Sequence, residues 1–294
     1  MNMKPYAFFI GCNIPARLGQ FETSARAVLK SLDIKLVDFR EFNCCGYPMR
    51  NSDEASFLLS SVKNLAVAEK AGLDILALCK CCFGTLKTAQ YQLNENAALK
   101  ADINRHLSRH QLQYTGQTRV KHFLSVLYHD VGTEDLKRRI QQSYKDLNVA
   151  VHYGCHALRP STVTEFDDPA NPSLFDELVA LTGAESIDWE KRLECCGAPL
   201  TGINDKLSMD LTRKKLESGK EAGADYLCAA CPWCQIQFDT VQETMVSDNG
   251  GEKALPSILY PQLIGLCLGI NSKTLGIDLN RLNISGITKY LDKG

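Results

Sequence analysis

Short apolar runs alternate with amphipathic stretches along most of this chain. Apolar runs bounded by polar or glycine positions predict buried strands, and apolar residues three or four positions apart predict helices. The predicted strands cover residues 6–10, 34–39, 75–78, 149–153, 186–189 and 226–227. The predicted helices cover residues 14–32, 53–71, 174–181 and 206–222. The alternation predicts an α/β fold, and its repetition predicts two pseudo-symmetric α/β halves.

A longer segment, over about residues 92–146, joins the two repeats. It carries helical patterns over residues 100–109, 119–128 and 134–144. We therefore divide the chain into a first half with this helical connector, residues 1–145, and a second half with a C-terminal tail, residues 146–294.

The C-terminal tail begins at about Gly269 and is polar in composition. This composition predicts a segment that is extended over the surface or docked to a partner. The apolar residues 256–268 before the tail offer one docking surface, although such a stretch is also often plain core.

Bulk composition narrows the function only slightly. The chain has 294 residues, 45% of them apolar, and a net charge of -1. This balance gives no electrostatic reason to expect nucleic acid or an anionic membrane as a partner. The apolar run at residues 263–270 is too short to cross a bilayer, and the first residues lack the pattern of a cleavable signal. We expect a cytoplasmic protein without a transmembrane segment.

The cysteines hold the candidate chemistry, because one array of five occurs twice among the 13 cysteines. The first array is Cys12, Cys44, Cys45, Cys79 and Cys82, and the second array is Cys155, Cys195, Cys196, Cys231 and Cys234. Every group follows a predicted strand, and the carboxyl ends of neighbouring parallel strands meet at one edge of a sheet. Vicinal cysteines bond to each other only with strain, and intracellular thiols are normally reduced. The arrays therefore indicate iron–sulfur or other metal chemistry rather than a disulfide framework.

Each array offers more thiols than an ordinary metal site needs. A cubane [4Fe–4S] cluster and a structural zinc ion both take four ligands. The fifth cysteine is either a non-ligand or part of a cluster with more thiolate contacts. Cys81, inside the first CxxC, makes the first ligand set ambiguous, since it could replace Cys79 or Cys82 or be a small buried thiol. Cys228 and Cys267 are predicted to be core thiols.

The motifs around the arrays resemble the duplicated CCG domain of the B-type catalytic subunit of heterodisulfide reductase, over nearly the whole chain. The resemblance rests on Gly11-Cys12, Cys44-Cys45-Gly46-Tyr47-Pro48, Cys79-x-x-Cys82-Phe83-Gly84, Gly154-Cys155-His156, Cys195-Cys196-Gly197-Ala198-Pro199 and Cys231-Pro232-Trp233-Cys234. It implies two noncubane [4Fe–4S] clusters, each held by all five cysteines of its array. One cluster with zinc in the first half is the alternative. It also implies that a disulfide substrate binds at cluster iron, is cleaved homolytically and is reduced one electron at a time.

The resemblance implies that the chain is the catalytic subunit of a heterodisulfide-reductase-like complex. Such a subunit reduces or forms disulfide or persulfide bonds. The residues around Cys12 and Cys44 look nearer to the bacterial sulfur-oxidising branch than to the methanogen enzymes. The candidate substrates are a coenzyme thiol pair or a lipoate-bound sulfur species on a carrier protein. Because no Gly-x-Gly-x-x-Gly follows a strand, electrons are expected to pass to or from a ferredoxin-like iron–sulfur subunit and a flavin subunit.

Two other functions stay open at this point. The chain could be a non-catalytic electron-transfer subunit of a quinone-linked dehydrogenase complex, since CCG domains also occur there. It could also be an assembly subunit stapled by zinc, without redox work.

A few residues outside the arrays are candidates for substrate contact. Arg17, soon after Cys12, could meet an anionic substrate or be a plain surface arginine. His156 could donate a hydrogen bond to a cluster sulfur or a substrate, or it could cap its loop. His152 is predicted to pack in the core, and Trp233 is predicted to shield a cluster or to anchor an interface.

Overall fold

Two four-stranded parallel sheets organise the protein, whose structure is a computed structural model describing residues 4–248 and 254–292. The strands are β1 (Tyr6–Phe9), β2 (Leu36–Val37), β3 (Asp74–Ala77), β4 (Val120–His122), β5 (Ser143–Tyr144), β6 (Asn148–His152), β7 (Glu185–Ile187), β8 (Tyr226–Ala229), β9 (Ser257–Leu259) and β10 (Leu291–Asp292). The first sheet has the order β2-β1-β3-β4 and the second has the matching order β7-β6-β8-β9. The sheets confirm the predicted α/β fold with two pseudo-symmetric halves.

Helical segments connect the strands, as parallel pairing requires. The α-helices are α1 (Asn13–Arg17), α2 (Gly19–Ser31), α3 (Glu54–Lys70), α4 (Lys80–Glu95), α5 (Ala97–Leu107), α6 (Phe123–Ser125), α7 (Thr133–Arg139), α8 (Cys155–Leu158), α9 (Ser161–Thr164), α10 (Leu174–Ala180), α11 (Asp205–Glu221), α12 (Pro232–Ile236), α13 (Gln242–Asp248) and α14 (Tyr260–Cys267). Two short 3₁₀ turns, Tyr47–Met49 and Ala198–Leu200, follow the vicinal cysteine pairs.

The connector differs from its prediction in two places. The pattern predicts a helix over residues 119–128, but β4 occupies the start of this segment and pairs with β3, with Val120 opposite Ile75. Val120 and His122 are buried while Lys121 is partly exposed, so the period of the segment is that of a strand. Likewise, α7 ends at Arg139, and β5 then pairs with β10 instead of extending the helix to residue 144. The connector therefore completes the first sheet and also contacts the end of the chain.

At the C-terminal end, the structure favours the plain-core alternative over an apolar docking surface. Residues 256–268 offer no exposed apolar surface, because β9 and α14 within them are buried throughout. The tail returns to the chain's own core, where Leu275, Ile277, Ile284 and Ile287 are buried. Polar composition misled the prediction, since these apolar side chains are spaced between polar residues that make internal hydrogen bonds. The buried Asn280, for example, donates to the Ser257 carbonyl.

The two halves pack closely against each other. Helix α4 of the first half contacts α8 and α9 of the second, and α14 contacts α2. Gly84 in α4 lies so near the second half that an added Cβ would clash with the His156 carbonyl oxygen. This close contact brings the N-terminal turn of α4, which holds part of the first array, next to the second array.

Candidate metal centres

The first array assembles at the carboxyl ends of three adjacent strands. Cys12 follows β1, the vicinal pair follows β2, and Cys79 follows β3. The Sγ atoms of Cys12 and Cys44 lie 3.8 Å apart. Cys45, Cys82 and Cys79 continue this series of neighbouring thiols inward, and all three are buried.

The second array repeats the arrangement at the ends of β6, β7 and β8. Cys155 neighbours Cys195, and the series continues through Cys196, Cys234 and Cys231. The carbonyl oxygens of the deeper vicinal cysteines also accept matching hydrogen bonds, from Ser61 Oγ to Cys45 and from Thr212 Oγ1 to Cys196. The predicted convergence of each array is therefore present, through the same local contacts in both halves.

The arrays meet where the two halves touch. The Sγ atoms of Cys79, Cys81 and Cys231 lie within 4.8 Å of one another. Cys81 thus lies between the two arrays, near Cys79 of the first and Cys231 of the second, and its Sγ is 3.4 Å from His156 Nδ1. The thiols therefore form a continuous series from one array to the other, which is a short path for electrons between the two candidate metal centres.

The space beside each array differs sharply. The first array adjoins a small cavity of about 20 Å³. The second array opens on a cavity of about 650 Å³, here called the cleft, which lies between the 3₁₀ turns of the two halves. Its walls include Tyr47 and Cys81 from the first half and Cys155, His156 and Trp233 from the second. The cleft gives the second array, but not the first, a cavity large enough to enclose a small molecule.

The other predicted residues fall into two groups. His156 lines the cleft, with Nδ1 3.6 Å from Cys155 Sγ and its ring edge-on to Tyr47. Trp233 borders both cavities. Arg17 lies on the exposed side of α1, away from the residues that line the cleft.

Three residues expected in the core are buried, but one of them also touches an array. Cys228 and Cys267 are buried as predicted. His152 is buried too, yet its Nε2 lies 3.2 Å from Cys234 Sγ, close enough to bond to that sulfur. The His152 side chain therefore packs in the core and also contacts the second array.

Local hydrogen bonds favour the thiolate form at the same place in both arrays. Hydrogen bonding with Cys12 and Cys45 holds the pKa of Cys44 far below its usual range. Hydrogen bonding with Cys155 and Cys196 does the same to the pKa of Cys195. Because thiolates are the form that binds metal, the first member of each vicinal pair is prepared for ligation.

Two buried lysines were missed in the sequence. Lys80 and Lys215 are each 1% exposed. Burial lowers the pKa of each to about 8 against the attraction of nearby cysteines of the second array. The signal for Lys215 was present, since helical spacing places it on the face of α11 that carries the buried Ser208 and Thr212.

The donor set fits iron–sulfur centres. All 13 cysteines lie in the described part of the chain and are free thiols. Soft thiolates in converging, largely buried groups are the ligands that iron–sulfur clusters and zinc prefer.

The described helices contain no stretch that is both long and apolar enough to span a bilayer.

The fold and the paired thiol groups define a duplicated α/β metal-binding protein. The profile of the cysteine-rich domain family, CCG, matches residues 6–87 and again residues 149–239. The chain belongs to this family.

Relatives along nearly the full chain include subunits of different reductases. The chain is 34% identical to the B-type subunit of a ferredoxin/F(420)H(2)-dependent CoB-CoM heterodisulfide reductase of Methanosarcina acetivorans, covering 99% of this chain and 98% of that protein. It is 33% identical to the 8-methylmenaquinol:fumarate reductase membrane anchor subunit of Wolinella succinogenes, covering 94% of this chain and 96% of that one.

A solved structure shares the fold. It is a hypothetical protein from Helicobacter pylori, with a TM-score of 0.76 at 16% identity, covering 97% of this chain and 53% of that one. The likeness supports the architecture alone, and this chain spans about half of that longer protein.

Proposed function

We propose that the chain is the iron–sulfur catalytic subunit of a heterodisulfide-reductase-like complex, and that it reduces or forms disulfide or persulfide bonds in the cleft. The observation that carries the proposal is the cleft of about 650 Å³, because thiols of the second array line it. A cavity of this size is in the range that holds small-molecule ligands. The relatives named as heterodisulfide reductase subunits support the same class of reaction.

The ten array cysteines are the proposed ligands of two noncubane [4Fe–4S] clusters, five for each cluster. The continuous series of neighbouring thiols within each array supports the use of all five. Zinc in the first half remains the alternative. The matching spacing of Cys79 and Cys82 to Cys231 and Cys234 supports Cys79 and Cys82 as the ligands in the first array, while Cys81 lies between the two arrays.

The clusters would supply single electrons and iron that can bind sulfur. The chain's own residues would bind the substrate and would donate or accept protons. Reduction of one disulfide consumes two electrons and two protons and releases two thiols; disulfide formation is the reverse. Burial lowers the pKa of His156, whose ring lines the cleft beside Cys155 and would contact the substrate there. Trp233 and Tyr47 would keep water from the reacting sulfurs.

Electrons would come from, or go to, partner subunits. We propose a ferredoxin-like iron–sulfur subunit and a flavin subunit in the same complex. The exposed Cys12 places the first array nearer the surface, which suits exchange with a partner. A lipoate-bound sulfur species on a carrier protein, and thus bacterial sulfur oxidation, remains one prediction for the substrate.

A second candidate function is electron transfer within a quinone-linked complex, without disulfide chemistry. The similarity to the fumarate reductase subunit of Wolinella succinogenes favours it. In that case both arrays would relay electrons, and the cleft would face a partner rather than a substrate.

One experiment separates these functions. The chain is reconstituted with iron and sulfide without oxygen, its metal content is measured, and disulfide reduction is followed with a reduced dye as donor. Catalysis predicts iron in both halves, disulfide turnover, and a change in the paramagnetic resonance spectrum when a disulfide is added. Iron binding without disulfide turnover and without a spectral change favours the second function, in which both arrays only relay electrons. One zinc ion per chain without iron would contradict both.

A further inference from the structure

Two buried lysines, one from each half, surround the second array. Lys80 extends from α4 across the contact between the halves, and its Nζ donates to the Tyr153 carbonyl and lies 3.5 Å from the His152 carbonyl. Lys215 extends from α11 on the other side, and its Nζ donates to the Lys191 carbonyl. Aromatic faces complete both environments, with Nζ 4.7 Å from the ring centre of Phe175 and 4.7 Å from that of Trp189, respectively.

Every one of these neighbours favours the charged ammonium form. Carbonyl oxygens and aromatic faces attract cations. The acidic groups that face Lys80 are Cys234, Cys231, Cys228 and Cys155, and those that face Lys215 are Cys196, Cys234, Glu194 and Cys195. In the described part of the chain, neither ammonium forms an ion pair with a carboxylate. The thiols of the second array are therefore the main counter-charge of both lysines.

The first array has no such cations at the corresponding positions. Pro232 takes the place of Lys80 in the second CxxC motif. Asn64 takes the place of Lys215, three residues after Ser61 just as Lys215 stands three residues after Thr212. The Asn64 side chain is neutral and is held by Cys44 and Asn43, with Nδ2 3.1 Å from the Cys44 carbonyl and Oδ1 2.9 Å from the Asn43 amide.

We propose that Lys80 and Lys215 raise the reduction potential of the second centre above that of the first, so that electrons collect beside the cleft. This inference rests on the proposed iron–sulfur function. A buried positive charge stabilises an added electron, and net charge and burial are main determinants of cluster potential. Transfer oxidises the first centre by one electron and reduces the second by one, with no bond made or broken. Lys215 is not among the residues that line the cleft and acts on the centre alone, whereas Lys80 also lines the cleft and can meet the substrate.

A redox titration tests this directly. The reconstituted full chain is titrated without oxygen and followed by paramagnetic resonance, with Cys45→Ala and Cys196→Ala used to assign each signal. The wild type should show a higher midpoint potential for the second centre. Lys215→Met and Lys80→Met should each shift that midpoint downward and leave the first midpoint in place. Lys215→Arg, which keeps the charge, should restore most of the shift.

The matched control is Lys206→Met, which removes an exposed lysine from the first turn of the same helix. Water and salt screen that charge, so neither midpoint should move. The inference is overturned if the first centre has the higher potential, or if Lys215→Met and Lys80→Met leave the second midpoint unchanged. Either result with disulfide turnover intact leaves the proposed function standing. Failure of the wild type to bind iron overturns both proposals.

Discussion

The two halves use the same five cysteines at the same strand ends, but they present them in different surroundings. The first array is beside a cavity of about 20 Å³ and has an exposed member, Cys12. The second opens on the cleft of about 650 Å³ and is flanked by two buried lysines. The two copies thus share the five cysteines and the hydrogen bonds behind them, while the residues between and around these cysteines differ.

The divergence is clearest inside the CxxC motifs. Lys80 and Cys81 stand in the first motif where Pro232 and Trp233 stand in the second. Both residues of the first motif face the second array, so the first half helps to build the cleft of its neighbour. The difference supports a division of labour within the proposed function, in which one array would meet electron carriers and the other would meet the substrate.

Removal of each array in turn gives the largest expected effect. Cys196→Ala should remove the iron of the second half and abolish disulfide turnover, because the remaining centre has no room for a substrate. Cys45→Ala should remove the iron of the first half, while a disulfide still alters the resonance spectrum of the second. Each half has its own four-stranded sheet, so circular dichroism should stay near wild type in both variants.

These paired variants can also contradict the division of labour. Equal effects of the two substitutions on the disulfide-induced spectral change would show that both arrays meet the substrate. Loss of all secondary structure on Cys196→Ala would show that the halves do not fold around separate cores.

Deletion of everything after Ile270 should affect the second half more than the first. Leu275, Ile284 and Ile287 are completely buried, and burial of such a side chain stabilises a protein by about 1.5–3 kcal/mol. The carboxylate of Asp239, next to α12 in the second half, also loses the Arg281 and Leu282 amides. Thermal unfolding and iron analysis should show a less stable protein that loses iron mainly from the second array.

The same deletion distinguishes folding from docking. A truncated chain that keeps its unfolding temperature and both centres, but no longer co-purifies with partner subunits, would support the docking role expected from the polar composition of the tail. For comparison, Cys45→Ala alters the first half. This variant should lose the iron of the first array and keep that of the second.

The sequence predicted well which cysteines come together, because the two copies of an internal repeat can be compared with each other. Strand ends followed by cysteines specify a shared edge, and the structure places those cysteines together as expected. The fourth strand of each sheet was missed, since β4 and β9 are only three residues long and each leads directly into a helix. The cleft could not be predicted, because it depends on how two halves pack. The direction of Cys81 and the reach of Lys80 follow from that same packing.

Gly84→Ala tests the contact between the halves. The new methyl group would collide with the His156 carbonyl, and overpacking of this kind typically costs about 1–3 kcal/mol. The corresponding residue of the second half is Ile236, so only the first half needs glycine here. Chemical denaturation should show the loss of stability, and Gly19→Ala, in open space at the start of α2, is the control that should not.

The smallest expected effect concerns pH and one position where the sheets differ. His122 ends β4 and pairs with Ala77, whereas Leu259 ends β9 and pairs with Ala229. Burial lowers the pKa of His122 to about 3, while Leu124 donates to its Nδ1 and its Nε2 lies 3.2 Å from the Leu78 carbonyl. The unfolded chain binds a proton near pH 6.5, but the folded chain does not.

Because the folded pKa lies below the unfolded pKa, the native state loses stability as pH falls below about 6.5. This single group should account for about 1.4 kcal/mol per pH unit between its two pKa values. His122→Leu, which copies the second half, should lower stability at pH 7 through its lost hydrogen bonds but should flatten the decline between pH 6.5 and 5 by about 2 kcal/mol. Urea denaturation at several pH values measures this slope, and His106→Leu, at an exposed site on α5, should leave it unchanged. An identical slope in wild type and His122→Leu would show that His122 is not the group that makes the first half sensitive to acid.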